Sequence, residues 1–450
     1  MAKWQVFILA VCASTALCQN DVSKSTAADP TFNSGTDKQI QALQLRVKRT
    51  PNDYEAFDEL GSAFFQKARE TGDIAYYDLA EQTLKNALDL APHNFHAADP
   101  LVHIALVYMG EHRFKDALAR AQEAISLGSG NLPAFAIEGD AYTDMGDYDE
   151  ASQAYSTVQT LGRMTSSPLA LAYMNDSRVA YLRFLHGDSA EAIRLMRSAI
   201  AAALQSNVAR ENLAWLYFEL GERYFQAGDL TNAALSYELG MAADPDHYRS
   251  LAGLAKVLAA QGKLEESIRF YQRSIAIVPF PVYIEELGNV YRKMGKEREA
   301  QEQYDLVEYI GHLSALNRVL ANRELALFYA DQSMKLPEAL ELARKELEVR
   351  HDIYTWDTLA WVLYKNGLLR EASEAMNKSL ALHTKDPLLF FHAGMIYHAL
   401  GNDSEAENFL SLALKANPHF HIFHAEVAAR TLETIEQARN RDLRSTNAAR

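Results

Sequence analysis

The sequence predicts an all-α fold of tandem antiparallel helix hairpins, and three observations predict it. From about Asn52 to Phe420 one pattern of small, aromatic and Gly/Pro positions recurs with a period of about 34 residues. Small residues and tyrosines keep fixed offsets within each unit, as two closely packed helices require. Glycines and prolines fall where one helix must end and the next begin. The composition, 48% hydrophobic and 23% charged over 450 residues, is that of a chain that buries a core.

Four units display the pattern well. Leu220-Gly221, Tyr224, Gly228, Ala233, Tyr237 and Pro245 correspond to Leu287-Gly288, Tyr291, Gly295, Ala300 and Tyr304. They correspond also to Gly394, Tyr397, Gly401, Ala406, Ala413 and Pro418, and to Gly139, Tyr142, Gly146, Tyr148, Ala151 and Tyr155. Gly139, Gly221, Gly288 and Gly394 sit on the first helix, where the missing side chain lets the second helix approach. The tyrosines three residues on fill the space beside that contact. Gly146, Gly228, Gly262, Gly295, Gly367 and Gly401 end first helices in the left-handed conformation that glycine adopts most cheaply. Pro92, Pro245, Pro279 and Pro418 stop second helices.

This arrangement resembles the tetratricopeptide repeat, and the resemblance covers about four-fifths of the chain. It implies hairpins stacked into a right-handed superhelical solenoid. About ten units over residues 52–420 are anchored on the small residue of each second helix: Ala80, Ala117, Ala151, Ala192, Ala233, Ser267, Ala300, Ala339, Ala372 and Ala406. Several are irregular. The first carries an insertion at Glu70 to Tyr77, those around Ala192 and Ala233 are spaced wide, and that around Ala339 lacks its turn glycine. The whole order also resembles a group of bacterial multi-repeat exported proteins with no agreed activity.

A repeat array needs polar ends. Residues 37–51 read as an N-terminal capping helix, and residues 421–450 as a C-terminal capping helix with a frayed tail. Upstream, Met1-Ala2-Lys3, the apolar stretch from Trp4 to about Leu17 and the polar segment after Cys18 have the layout of a signal peptide over residues 1–18, followed by a flexible linker over 19–36. Cleavage is expected after Cys18 or after Ala16, giving a periplasmic or secreted protein. Lipid anchoring at Cys18 is the weaker alternative, because Leu17 and Thr15 stand where lipoprotein signals carry a small residue and leucine. Both cysteines, Cys12 and Cys18, lie in this leader, so no internal disulfide is expected. Nothing later reaches the length of a membrane span. A formal net charge of −15 argues against nucleic acid, whose binding depends on basic groups neutralising phosphates.

In tetratricopeptide arrays the first helices line the concave face, and the resemblance implies a protein or peptide ligand there. The expected partner-binding groove comprises Tyr181, Phe184, Trp215, Phe218, Phe225, Lys256, Asn289, Arg292, Tyr354, Trp361, Tyr364, Phe391 and Met395. Three aromatic side chains burying about 150 to 250 Å² each, at roughly 25 cal/mol per Å², offer a gross gain of about 11 to 19 kcal/mol. Against an association cost of roughly 4 to 15 kcal/mol, that suffices for micromolar binding. The competing reading is that these aromatics pack between neighbouring first helices. Some relatives clamp a C-terminal carboxylate with Lys, Asn and Arg. Here Lys256, Asn289, Arg292 and Lys293 approximate that clamp, but Glu285 stands where a cation is needed.

Chemistry is otherwise thinly represented. No phosphate-binding glycine loop, zinc-protease helix or nucleophile elbow is present, so neither catalysis nor a cofactor is expected. The acidic pairs Glu265-Glu266 and Glu285-Glu286 read as solvated helix surface. A metal-binding alternative rests on His419, His421 and His424 with His383, His392 and His398 in the preceding unit and a half. Self-association is open, and the oligomeric state is not legible.

Overall fold

The computed structural model describes residues 35–92, 94–128, 130–206, 208–316 and 322–448. The expected signal peptide, Cys18 and nearly all of the expected linker lie outside these residues. Among the described residues there are twenty-two α-helices, one short 3-10 turn and no strand.

Helix α1 spans Gly35–Arg49. Ten hairpins follow: α2 Tyr54–Thr71 with α3 Ala75–Leu90, α4 Ala98–Gly110 with α5 Phe114–Leu127, α6 Leu132–Met145 with α7 Tyr148–Thr165, α8 Pro168–Leu185 with α9 Ser189–Gln205, and α10 Arg210–Gln226 with α11 Leu230–Ala243. The second five are α12 Tyr248–Ala260 with α13 Leu264–Ile277, α14 Pro281–Lys293 with α15 Glu297–Leu316, α16 Asn322–Asp331 with α17 Leu336–Glu346, α18 Ile353–Lys365 with α19 Leu369–Ser379, and α20 Pro387–Ala399 with α21 Asp403–Ala416. A last helix, α22, runs His424–Ala448.

The periodic residues do what their sizes require. All ten anchor residues lie in second helices and are at most 1% exposed. A Cβ built on Gly139 would stand 2.4 Å from the Tyr155 ring, and one on Gly221 or Gly288 would stand 2.5 Å from the ring of Tyr237 or Tyr304. At Gly394 the neighbour is Leu410, also at 2.5 Å. Irregular units are accommodated by helix length. The insertion near Glu70 lengthens α2 to 18 residues before Gly72 turns the chain, and the wide spacing around Ala192 reflects α8, α9 and α10 at 17 or 18 residues. Where the unit around Ala339 lacks glycine, Ser333 and Lys335 themselves adopt left-handed backbone at φ of 52° and 46°.

The helices form two compact bodies, α1 to α5 and α6 to α22. In the first, α1 lays Ile40 and Leu43 against the neighbouring helix, and Lys67, buried on α2, pairs with Asp37 at 2.7 Å. In the second body the stack returns upon itself after six hairpins. The turn of α6–α7 meets the segment before α18, that of α8–α9 the segment before α20, and that of α10–α11 the segment before α22. At each seam a late linker donates to a carbonyl at the end of an early helix. His351 N–H donates to Met145 O at 2.7 Å, Thr384 Oγ1 donates to Leu185 O, and Asn417 Nδ2 donates to Phe225 O at 2.7 Å. The last two pairs are 199 and 192 residues apart in sequence.

Close approach at these seams excludes side chains. A Cβ on Gly146, Gly187 or Gly228 would meet linker backbone at 2.5 to 2.7 Å, whereas one on Gly262, Gly295, Gly367 or Gly401 meets nothing within 4 Å. All seven have positive φ. The first linker is further held by Asp352, which accepts from the N–H groups of Tyr354 and Thr355 and from Arg323 Nη1 at 3.0 Å. Burial alone would raise its pKa, but the guanidiniums of Arg323 and Arg350 outweigh it and hold the carboxyl below its usual value.

Gly295→Ala is expected to cost about 1 kcal/mol, the ordinary penalty for a left-handed non-glycine residue. Gly187→Ala should cost at least about twice as much, because the same strain is joined by a backbone clash that no rotamer relieves. Urea denaturation of the two variants side by side checks this, and equal midpoints would mean that the seams do not hold the second body together.

Candidate functional site

The residues expected to line a groove lie within the second body, on α8, α10, α12, α14, α18 and α20. Phe184, Phe218, Phe225, Trp361, Phe391 and Asn289 are buried, and Tyr181 nearly so. Tyr354, Tyr364, Trp215, Met395, Lys256 and Arg292 are half-buried. Most of the aromatic residues expected to line a groove therefore pack between helices, as the competing reading has it, and the half-buried residues form the remaining edge of that surface.

Three groups come together. Tyr181, Phe184 and Tyr354 share a core cluster across the seam between α8 and α18. There the buried guanidinium of Arg223 lies 4.0 Å over Phe184, 3.6 Å from Glu219, with none of its nitrogens hydrogen-bonded. Phe218 and Phe225 belong to a second cluster with Tyr237 and Leu254, and Lys256 Nζ sits 4.4 Å over the Phe225 ring. Trp361 stacks between Tyr364, at 4.9 Å, and His392, at 4.1 Å, and lies 5.6 Å from Phe391. Trp215 stands apart, against the cluster of Met196, Leu216 and Leu220, and Met395 Sδ accepts from Thr431 on α22 at 3.7 Å.

The polar members of the expected site are already partnered. Lys256 donates to both Glu222 oxygens at 2.7 and 2.9 Å, and Tyr237 OH donates to the same carboxylate at 2.6 Å. Burial would raise the pKa of Glu222, yet these partners outweigh it and hold it below the usual range. Asn289 Oδ1 accepts from Tyr304 OH at 2.9 Å, and Arg292 Nη1 donates to Gln332 Oε1 at 2.8 Å. Lys293 pairs with Glu426. A carboxylate clamp is thus not presented, because Lys256, Arg292 and Lys293 already have internal acceptors and Asn289 Oδ1 is already taken up by donors from Tyr304 and Arg292.

Sequence reasoning missed the acidic side of this face. Glu285 and Glu286, read as solvated surface, are only partly accessible and lie near Asp331 and Glu222. Burial, then the neighbouring carboxylates, pushes Glu285 well above the usual range, and Glu286 is pushed up to about 7. Asp331 accepts from Trp361 Nε1 at 2.7 Å, and His392 pairs with the buried Asp357 at 2.8 Å. The signal available was charge inside otherwise apolar first helices. Glu265 and Glu266, on a second helix, are exposed as expected.

The C-terminal histidines partly converge. His421 and His424 lie 4.0 Å apart between ring centroids, and His392 is 6.2 Å from His424. Their nitrogens face different partners. His421 Nδ1 accepts from the N–H groups of Phe423 and His424, capping α22, while His392 Nδ1 faces Asp357. His398 pairs with Asp403 at 2.8 Å, away from this group, and His383 and His419 are exposed. Among the described residues no group of three or more His, Cys, Asp or Glu is arranged to hold a metal ion.

Comparison with known proteins now bears on identity. A family model described as tetratricopeptide repeat matches residues 218–280 and 358–419, and a second of the same description matches 132–161. Over those segments the chain carries tetratricopeptide repeats. A TPR repeat-containing protein of Methanocaldococcus jannaschii is 21% identical over 352 residues, 76% of this chain and 54% of the relative. Tetratricopeptide repeat protein 8 of Caenorhabditis elegans is 26% identical over 169 residues, 36% of this chain and 31% of the relative. The chain thus spans about half, or less, of the curated relatives it matches. Similar solved structures include human IFIT1 in a dimer with PPP-AAAA, at a TM-score of 0.47 and 14% identity, covering 84% of this chain and 87% of that one. Yeast Tom70 gives 0.40 and 11%, covering 90% and 97%, and the APC/C hetero-tetramer Cut9-Hcn1 gives 0.33 and 14%, covering 89% and 93%. The tetratricopeptide-repeat fold is in general a non-catalytic scaffold for protein partners. Among the described residues no helix is long and apolar enough to cross a membrane.

Two opposed pH dependences follow. Glu286 has a raised folded pKa, so its contribution is fully present below about 4.5 and is lost as pH rises through about 7. Glu286→Gln should raise the melting temperature by a few degrees at pH 8 and leave it nearly unchanged at pH 4.5, as scanning calorimetry can test. Burial, joined by His424 in the case of His421 and by His392, Lys365 and Arg292 in the case of His424, lowers the pKa of both imidazoles well below 6.5. Their contribution is present above 6.5 and lost as pH falls. Hydrogen exchange of the first turn of α22, corrected for intrinsic rate, should therefore be faster at pH 5 than at pH 7.5, and the difference should vanish in the pair His421→Asn with His424→Gln.

Proposed function

We propose that this protein is a non-enzymatic scaffold of the cell envelope or secreted space, holding protein or peptide ligands on the inner face of residues 132–450. The observation that carries the reading is that a peptide segment already lies on that face. Residues 417–426 run over expected groove residues: Asn417 binds the Phe225 carbonyl, Phe420 lies 5.7 Å from Phe391, and Phe423 lies 4.4 Å under Arg292. The edge of half-buried aromatic and basic residues beside it, with Tyr364 and Lys365 prominent, has the chemistry to hold an amphipathic helix or extended strand. Export is supported by the charged, apolar and small-residue layout of residues 1–18.

Photo-crosslinking in the producing cell tests the surface directly. A photoreactive residue replacing Tyr364 should capture a partner, and one replacing the exposed Leu235 on the second helix α11 should not. Capture from Leu235 alone would move the binding face to the outside. In the same cells, amino-terminal sequencing of the envelope or secreted fraction should begin at Gln19 or Leu17. An intact Met1 in the cytosolic fraction would remove the proposed location.

A further inference from the structure

We infer that residues 422–426, the turn leading into α22 and the start of that helix, are a resident ligand of the inner face, and that the external partner of that face is an amphipathic helix entered by a turn of like design. Such a ligand presents an aliphatic–aromatic pair just before its helix begins, followed three residues later by a carboxylate in the first helical turn, as Ile422-Phe423 and Glu426 do here. The inference rests on the inner-face reading proposed above and names its partner class.

A helix that merely ended the array would need to cover only α20 and α21. The middle of α22 does this through Ala428 and Ile435, which are buried. Its first turn and the segment before it reach much further. Phe423 lies under Arg292 of α14, four hairpins upstream, and Glu426 pairs with Lys293 of the same helix. Ile422 packs against the cluster containing Leu287 and Val290, also on α14. His424 lies 3.6 Å from Asp331 of α16 and 4.6 Å from the Phe391 ring. The turn therefore bridges several first helices at once, as a bound peptide would, and none of this is required to cap the last hairpin.

The seating is shallow. Ile422 and Phe423 are half-buried, unlike Ala428 and Ile435, and the pair Lys293–Glu426 is largely solvent-exposed. Exposed ion pairs of this kind hold weakly. What keeps the turn in place is its covalent attachment, which gives it a high effective concentration over the face. A free helix of the same chemistry is thereby outcompeted until the resident turn is weakened. Charge is consistent with the choice of ligand: Arg292 and Lys293 stand side by side at the edge of the face, beside the start of α22, where a ligand carboxylate would be received.

The test uses the full chain and a fluorescent synthetic peptide copying residues 417–437. In the variant Phe423→Ser with Glu426→Lys the groove is intact but the resident turn is weakened. Fluorescence anisotropy should show the peptide binding this variant at least tenfold more tightly than the native chain, while a peptide carrying the same two changes should not bind. Hydrogen exchange should show faster exchange over residues 421–428 of the variant with α12 and α13 unchanged. Equal affinity for both chains, or unaltered protection of residues 421–428, would overturn the inference. Should the variant fail to fold, Lys293→Glu in the otherwise native chain must by itself speed exchange over 421–428, and unaltered exchange again overturns it. Neither result touches the broader reading, which stands or falls on whether Tyr364 crosslinks to a partner in cells.

Discussion

The second body is governed by backbone-to-backbone contact between turns and linkers six hairpins apart. Where the turns at Gly146, Gly187 and Gly228 receive the linkers before α18, α20 and α22, the chain approaches too closely for any side chain. The late linkers bring His351, Thr384 and Asn417 to carbonyls at the ends of α6, α8 and α10. A solenoid ordinarily needs only its nearest neighbours, and its stability then grows by local terms. Seams convert part of this one into a closed body, in which distant hairpins share hydrogen bonds and unfold at a mutual cost.

Closure explains the unusual electrostatics. Charges that an open array would leave in water are enclosed when the stack returns on itself, and each must then find a partner or lose its charge. Glu222 takes the first course with Lys256 and Tyr237, and Asp352 takes it with Arg323. Glu285 and Glu286 take the second, since burial beside other carboxylates disfavours ionisation. Arg223 does neither fully and relies on the face of Phe184 and the nearby Glu219.

Much of the fold was legible because its rules are local. The recurrence of small residues at Gly139, Gly221 and Gly288 reads as helix contact, and the rings of Tyr155, Tyr237 and Tyr304 do fill the space so vacated. The seams were not legible, since Gly187 and Gly295 obey the same local rule and only the accumulated turn of six hairpins brings a linker to one and solvent to the other. For the same reason the aromatic residues were correctly placed on first helices but wrongly expected to be open. Phe391 and Trp361 would face a cleft in an open array, and a cleft is not what curvature of this degree leaves. Within one repeat nothing distinguishes a residue that lines a groove from one that fills it.

That ambiguity also decides what a partner can reach. With Phe184, Phe218 and Phe225 enclosed, affinity cannot come from the largest apolar surfaces of the first helices, which are already spent on the core. On the proposed reading it comes from the edge where α14, α16, α18 and α20 meet the start of α22, where aromatic, basic and acidic groups stand close together and half-buried. Binding at such an edge favours a ligand with few, well-placed anchors over one with a long apolar stripe. On the proposed reading the start of this chain's own last helix is such a ligand, and its contacts with Arg292, Lys293 and Phe391 describe what the edge would select.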